Sequence, residues 1–186
     1  MNVSAVLLAG GESRRMGHDK ATLLFRGKPL WQIQLQLLRE LAPREILISA
    51  RSDPTWRPAD VKFVTDAAPS RGPLSGIAAS LLRIATPYLL ALAIDMPFMT
   101  VEYLRSLCGR IRAACGVVPV IHGRAEPLAA IYPLNADVDL VRALNGNDFS
   151  LQTVARSLIA TSKLIEAPVP PEDEHLFRNL NEPGDL

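Results

Sequence analysis

Residues 8–20 read Leu-Ala-Gly-Gly-Glu-Ser-Arg-Arg-Met-Gly-His-Asp-Lys. Adjacent glycines, Gly10 and Gly11, let the backbone turn and come close to a ligand. Behind them stand Arg14, Arg15 and Lys20, three fixed positive charges within seven residues. The apolar run Val3–Leu8 just before them reads as a buried strand. Exposed N–H groups and cations directly after a strand are what a polyphosphate needs. The segment therefore predicts a nucleoside triphosphate site. Its spacing excludes the two commonest phosphate loops. A Walker A loop needs Gly, four residues, then Gly-Lys-Ser/Thr, whereas five residues separate Gly11 from Gly17 and His18 follows. The dinucleotide fingerprint fails because Gly10 and Gly11 are adjacent. A glycine turn with a merely solvated basic face explains neither the strand context nor the clustered cations.

These residues must be positioned by the rest of the chain, where strand and helix patterns alternate. Pro29–Leu41 predicts a helix with Leu30, Ile33, Leu37 and Leu41 on one face, stopped by Pro43. Glu45–Ser49 predicts a second strand, 52–60 a loop, and Lys62–Val64 a short strand ending near Asp66. Pro69–Gly76 reads as a second Gly/Pro-rich loop and Ile77–Ile84 as a helix. Tyr88–Ile94 is continuously apolar, as for a central parallel strand covered on both faces, and stops at Asp95. Thr100 is placed to cap a helix running to about Arg112. Gly116–Ile121 and Leu128–Tyr132 read as strands, the second at an edge or antiparallel. Asp137–Leu144 and Leu151–Leu158 read as helices, and Lys163–Ala167 as a last strand. The pattern predicts one domain over 1–186, a three-layer α/β/α sandwich around a Rossmann-like, mostly parallel sheet with an antiparallel strand.

Composition bounds the function. An apolar fraction of 48% with 21% charged residues is that of an ordinary globular domain. A net charge of +1 gives no basis for a nucleic-acid surface. Cys108 and Cys115 are the only cysteines, too few and wrongly spaced for a zinc site, and read as core residues of a reduced, cytoplasmic protein. No signal peptide is evident, and Tyr88–Ile94 is too short to cross a bilayer, so no membrane partner is expected. His18, His122 and His175 are scattered, with no acidic or nucleophilic partner at telling spacing in the sequence. His18 is the one placed to touch phosphate, and the other two read as surface residues. Asp137 and Asp139 cannot share a helix face and read as solvated. Trp31 and Trp56 read as packing residues.

In open α/β sheets ligands sit beyond the carboxyl ends of the strands. Gly10, Asp66, Gly72 and Asp95 each follow a predicted strand, so the fold gathers them at one edge. The glycine loop brings positive charge and the two aspartates bring hard oxygen donors. That combination predicts Mg²⁺ bridging triphosphate oxygens.

Residues 8–20 resemble the signature loop of the sugar-nucleotidyltransferase-like superfamily. Further pieces resemble the molybdenum cofactor guanylyltransferases: Gly27-Lys28-Pro29-Leu30, Arg71-Gly72-Pro73-Leu74-Ser75-Gly76, Ile94-Asp95-Met96-Pro97, Glu126-Pro127-Leu128 and Asn179-Leu180-Asn181-Glu182-Pro183. They lie in order along nearly the whole chain. The resemblance implies a nucleotide-diphospho-sugar transferase type of fold. It implies that Asp95 holds Mg²⁺ and that Lys20, Arg14 and Arg15 hold the phosphates. Lys20, Arg15 and Asp95 are the implied catalytic groups. Leu8, Ala9, Gly10, Gly11, Asp66, Gly72, Pro73 and Leu74 complete the implied nucleotide pocket. GTP and molybdopterin are the implied substrates, and molybdoenzymes or other cofactor-biosynthesis proteins the implied partners. Related cytidylyltransferases carry Leu-Ala-Ala-Gly where this chain has Leu8-Ala9-Gly10-Gly11, and Gly11 with the Gly72–Gly76 stretch resembles the guanylyl side. Two departures bear on the acceptor side: Glu182 replaces a usual Thr, and many relatives continue beyond the position of Leu186 into a final helix.

The resemblance implies that the terminal phosphate of molybdopterin attacks the α-phosphorus of GTP in line and pyrophosphate leaves. An anionic nucleophile needs no general base, in keeping with the lack of any Ser-His or Cys-His pairing. Two other readings remain open from the residues: a nucleotidyltransferase for another acceptor, such as cytidylyl transfer to the same pterin or transfer to a sugar or polyol phosphate, and a non-catalytic nucleotide-binding module that docks on a molybdoenzyme.

Overall fold

Every residue of β1 (Val3–Leu8) is buried, and its side chains alternate between two separate cores. Val3, Ala5 and Leu7 enter one; Val6 and Leu8 enter the other. A strand apolar on both faces belongs in the middle of a sheet covered by helices on either side, and that is where β1 lies. The computed structural model describes residues 2–10, 19–66 and 69–180. The remaining strands are β2 (Leu24–Phe25), β3 (Lys28–Pro29), β4 (Ile46–Ala50), β5 (Lys62–Thr65), β6 (Tyr88–Ala93), β7 (Gly116–Ile121), β8 (Arg124–Ala125), β9 (Ala129–Pro133) and β10 (Leu164–Pro168). The helices are α1 (Leu30–Leu41), α2 (Pro73–Leu81), α3 (Val101–Cys108), α4 (Asp137–Leu144) and α5 (Leu151–Ala160). Short 3-10 turns cover Lys20–Thr22, Leu134–Ala136 and Pro171–Phe177.

Among the described residues the main sheet runs β10-β7-β9-β6-β1-β4-β5, with β8 paired to β7. The pairs β1–β4, β1–β6, β4–β5 and β7–β10 are parallel. Strand β9 is antiparallel to both β6 and β7. Helices α1 and α3 cover one face, and α2, α4 and α5 the other. The predicted three-layer, mostly parallel architecture with an antiparallel strand is therefore observed.

Several boundaries differ for identifiable reasons. Helix α2 starts at Pro73, not Ile77, so Pro73–Gly76 is helix rather than loop. Gly72 is its N-cap and Pro73 its first residue, where a missing N–H costs nothing and φ is already helical. Helix α3 is capped by Thr100, whose hydroxyl accepts from the Tyr103 amide, but it ends at Cys108 rather than near Arg112. Arg112 instead pairs with Cys115 in a tight turn. Strand β9 lies inside the sheet, not at an edge, because all five of its residues are buried. Asp139 is not solvated: its carboxylate pairs with Lys163 and Arg142. The hairpin of β2 and β3 turns through Arg26 and Gly27, both at positive φ; a two-residue strand carries too little alternation to be read from sequence.

Candidate functional site

The carboxyl ends of β1, β4 and β6 are tied together by main chain. The amides of Ala9 and Gly10 donate to the Ser49 carbonyl at 2.9 and 3.1 Å, and the Ile94 amide donates to the Leu8 carbonyl at 3.1 Å. Beyond these ends opens a cleft of about 280 Å³ lined by Leu8, Ala9, Gly10, Lys20, Gly72, Pro73, Ala93, Ile94, Asp95 and Leu128. The sequence-derived residues from four separate segments thus meet at the strand-end edge that the topology favours.

Lys20 reaches this cleft from a braced turn. Asp19 caps the turn, its Oδ1 accepting from the Ala21 amide at 3.0 Å. Its Oδ2 accepts from Trp56 Nε1 at 2.8 Å, and Trp56 stacks on Trp31 of α1 with centroids 5.5 Å apart. Ala21 is wholly buried in the α1-side core. The lysine therefore stands on a fixed base with a mobile four-carbon stem. Its Nζ meets Asp95 Oδ2 at 2.6 Å.

Asp95 follows β6 in a turn held from both sides. The buried Gln34 of α1 donates to the Met96 carbonyl at 2.6 Å, and the Leu180 amide donates to the Asp95 carbonyl at 2.9 Å. Gln34, Asp19 and Trp56 are positioning residues that sequence reasoning missed. The available signal was Gln34 itself, a polar residue among apolar ones on a helix predicted to face the core.

Gly10 and Gly72 do different work. A Cβ at Gly10 would stand 2.7 Å from Asp66 Oδ2, so only a glycine lets the strand end lie against that carboxylate. Gly72 has φ +66° and ψ −148°, a backbone conformation reserved for glycine. It turns the chain so that the N-terminus of α2 faces the cleft through Gly72 and Pro73, and the positive end of the helix dipole there favours an anion. On the far wall, the Ala93 amide donates to the Leu128 carbonyl at 2.9 Å. The buried Tyr132 hydroxyl donates to the Pro127 carbonyl at 2.8 Å. Half-buried Glu126 carries a carboxyl pushed above its ordinary range by desolvation, offset in part by Arg124.

Two expected contacts are placed elsewhere. Leu74 is fully buried in the α2-side core, because the second residue of α2 turns inward onto the sheet; its side chain does not line the cleft. Asp66 is only 7% exposed and accepts from the Ser49 hydroxyl. It backs Gly10 instead of facing Asp95 across the cleft. Gly11, Arg14, Arg15 and His18 lie outside the described residues, as do Asn181, Glu182 and Pro183. His122 and His175 are exposed, as expected. Burial raises both thiols, Cys108 to about 11 and Cys115 above its usual value, so neither offers a thiolate near neutral pH.

Among the described residues the strand-end cleft brings together a lysine, a carboxylate and a helix N-terminus, at the edge where doubly wound α/β domains place their ligands. A family model described as the MobA-like NTP transferase domain matches residues 5–164. The chain is 35% identical over 186 residues to a probable molybdenum cofactor guanylyltransferase of Opitutus terrae, covering 98% of this chain and 92% of that one. It is 32% identical to another of Natranaerobius thermophilus, covering 100% and 93%. Among solved structures it resembles molybdopterin-guanine dinucleotide biosynthesis protein A from Archaeoglobus fulgidus, with TM-score 0.77, 24% identity and coverage of 98% and 94%. It also resembles 2-C-methyl-D-erythritol 4-phosphate cytidylyltransferase from Thermus thermophilus, with TM-score 0.70, 16% identity and coverage of 100% and 95%. The chain belongs to the MobA-like NTP transferase family, and it is an enzyme of the nucleotidyltransferase class. Among the described residues no helix is long and apolar enough to cross a membrane.

Proposed function

We propose that this enzyme transfers GMP from GTP to the phosphate of molybdopterin and releases pyrophosphate, in the cytoplasm and with Mg²⁺. The observation that carries the reading is the meeting of Lys20 and Asp95, 2.6 Å apart, in the strand-end cleft. One cation and one hard carboxylate serve the two halves of phosphoryl chemistry: holding phosphate oxygens and holding a metal. The names of the full-length relatives support guanine as the base and the molybdenum cofactor as the acceptor.

The donor set fits Mg²⁺. This ion commonly takes one or two protein carboxylates and fills its remaining positions with phosphate oxygens and water, and Asp95 supplies such a carboxylate. When bound, the ion supplies charge neutralisation on the reacting and leaving phosphates. The chain itself does the rest. Leu8, Ala9 and Gly10 supply close backbone, the α2 N-terminus supplies the positive end of its dipole, and Lys20 supplies a point charge. The acceptor phosphate is already an anion, so the reaction needs no general base; among the described residues the cleft lining holds no His or Cys. Catalysis then rests on bringing two anions together and stabilising the departing one.

Thermal unfolding with each of four nucleotides at matched concentration tests this reading. GTP with Mg²⁺ is expected to raise Tm more than ATP, CTP or UTP, by about 2.7 kcal/mol of added stability at roughly a hundred times Kd. A larger shift with CTP assigns the chain to cytidylyl transfer instead.

A further inference from the structure

Lys20 Nζ lies on Asp95 Oδ2, the two side chains being only 24% and 18% exposed. The ammonium therefore covers an oxygen that a divalent cation would use. Among the described residues lining the cleft, Asp95 is the one carboxylate. Asp66 faces Ser49 behind Gly10, and among the described residues no three His, Cys, Asp or Glu converge as a metal cage. Mg²⁺ gives up water reluctantly and needs several anionic oxygens around it. One carboxylate already neutralised by an ammonium does not meet that need. A triphosphate changes both sides of the balance: it adds phosphate oxygens to the donor set, and it offers Lys20 a more highly charged partner.

Resting on the nucleotidyltransferase reading of this cleft, we propose that Lys20 exchanges partners. It holds Asp95 in the ligand-free enzyme and passes to the triphosphate when nucleotide enters, so that the divalent cation binds Asp95 only together with nucleotide. The local structure suits an exchange of this kind. Ala21, Asp19 and Trp56 fix the base of the turn, while the flexible lysine stem lets the head group move between anions a short distance apart. Before nucleotide arrives, the pair also removes the repulsion that a bare carboxylate would exert on an approaching polyphosphate.

Mn²⁺ alone, followed by the electron paramagnetic resonance signal of the free ion, tests the exchange. Wild-type enzyme without nucleotide is expected to leave Mn²⁺ almost wholly free, and addition of α,β-methylene-GTP to bring it onto the protein. Lys20→Met is expected to bind Mn²⁺ without nucleotide about tenfold more tightly than wild type, and Lys20→Met with Asp95→Asn to lose that gain. Lys20→Gln replaces Lys20→Met if circular dichroism shows the latter misfolded. Equal Mn²⁺ binding by wild type and the lysine variant without nucleotide overturns the exchange. Calorimetry of the GTP analogue with saturating Mg²⁺ keeps the two ideas apart: its failure to bind overturns the nucleotide reading, whatever the manganese result.

Discussion

Asp95→Asn is expected to leave the chain folded and to lower turnover about a thousandfold. Asn keeps the size and one acceptor oxygen but loses the charge that holds a cation. Packing survives because the turn is held by main-chain contacts that the substitution leaves alone, from Gln34 to Met96 and from Leu180 to Asp95. The lost ion pair with Lys20 is partly solvated, so its removal costs about 1 kcal/mol or less. Steady-state pyrophosphate release, with circular dichroism on the same sample, checks both halves. Near-native turnover at limiting Mg²⁺ places the metal ligand elsewhere.

Lys20→Ala is expected to lower kcat about a hundredfold, with kcat/KM falling by at least as much. The reason is where the charge stands. A lysine on a braced turn, already within 2.6 Å of Asp95, lies beside the position of the metal ligand. In the proposed reaction it meets there the phosphates on which charge develops. An interaction made mainly in the transition state is lost from kcat, whereas one made equally in the ground state is lost from KM. Nucleotide titrations at saturating acceptor separate these outcomes, and a change confined to KM assigns Lys20 to binding alone.

The parts of the fold most legible in sequence were those with one dominant pattern. Val3–Leu8 and Tyr88–Ala93 are continuous apolar runs, and a buried parallel strand is the simplest way to place them. Gly116–Ile121 and Asp137–Leu144 have the same bounds in sequence pattern and structure. The start of α2 differs because glycine and proline side by side read as loop formers. In Gly72-Pro73 their order is that of a helix cap followed by a first turn. Of the two readings the sequence leaves open for β9, an edge or an antiparallel strand, the second holds.

The site was legible to the extent that strand ends marked it. Gly10, Gly72 and Asp95 follow directly from a sheet whose ligands gather at one edge. Leu74 is placed by its motif and Asp66 by its strand end, and neither says which way a side chain turns. Leu74 turns into the core, and Asp66 turns toward Ser49 beneath Gly10. The bracing of Lys20 by Trp56 and Asp19, and of Asp95 by Gln34, joins residues 37 and 62 positions apart. Pairings at that separation have no local periodicity from which to be read.

The central claim is tested most directly by incubating the purified enzyme with α-labelled GTP, Mg²⁺ and molybdopterin and following label and pyrophosphate together. The account predicts that pyrophosphate forms only when GTP and the pterin are both present. The label then appears in a pterin–GMP product, one for each pyrophosphate released. Transfer of label to a sugar or polyol phosphate but not to the pterin, or faster consumption of CTP than of GTP, contradicts it.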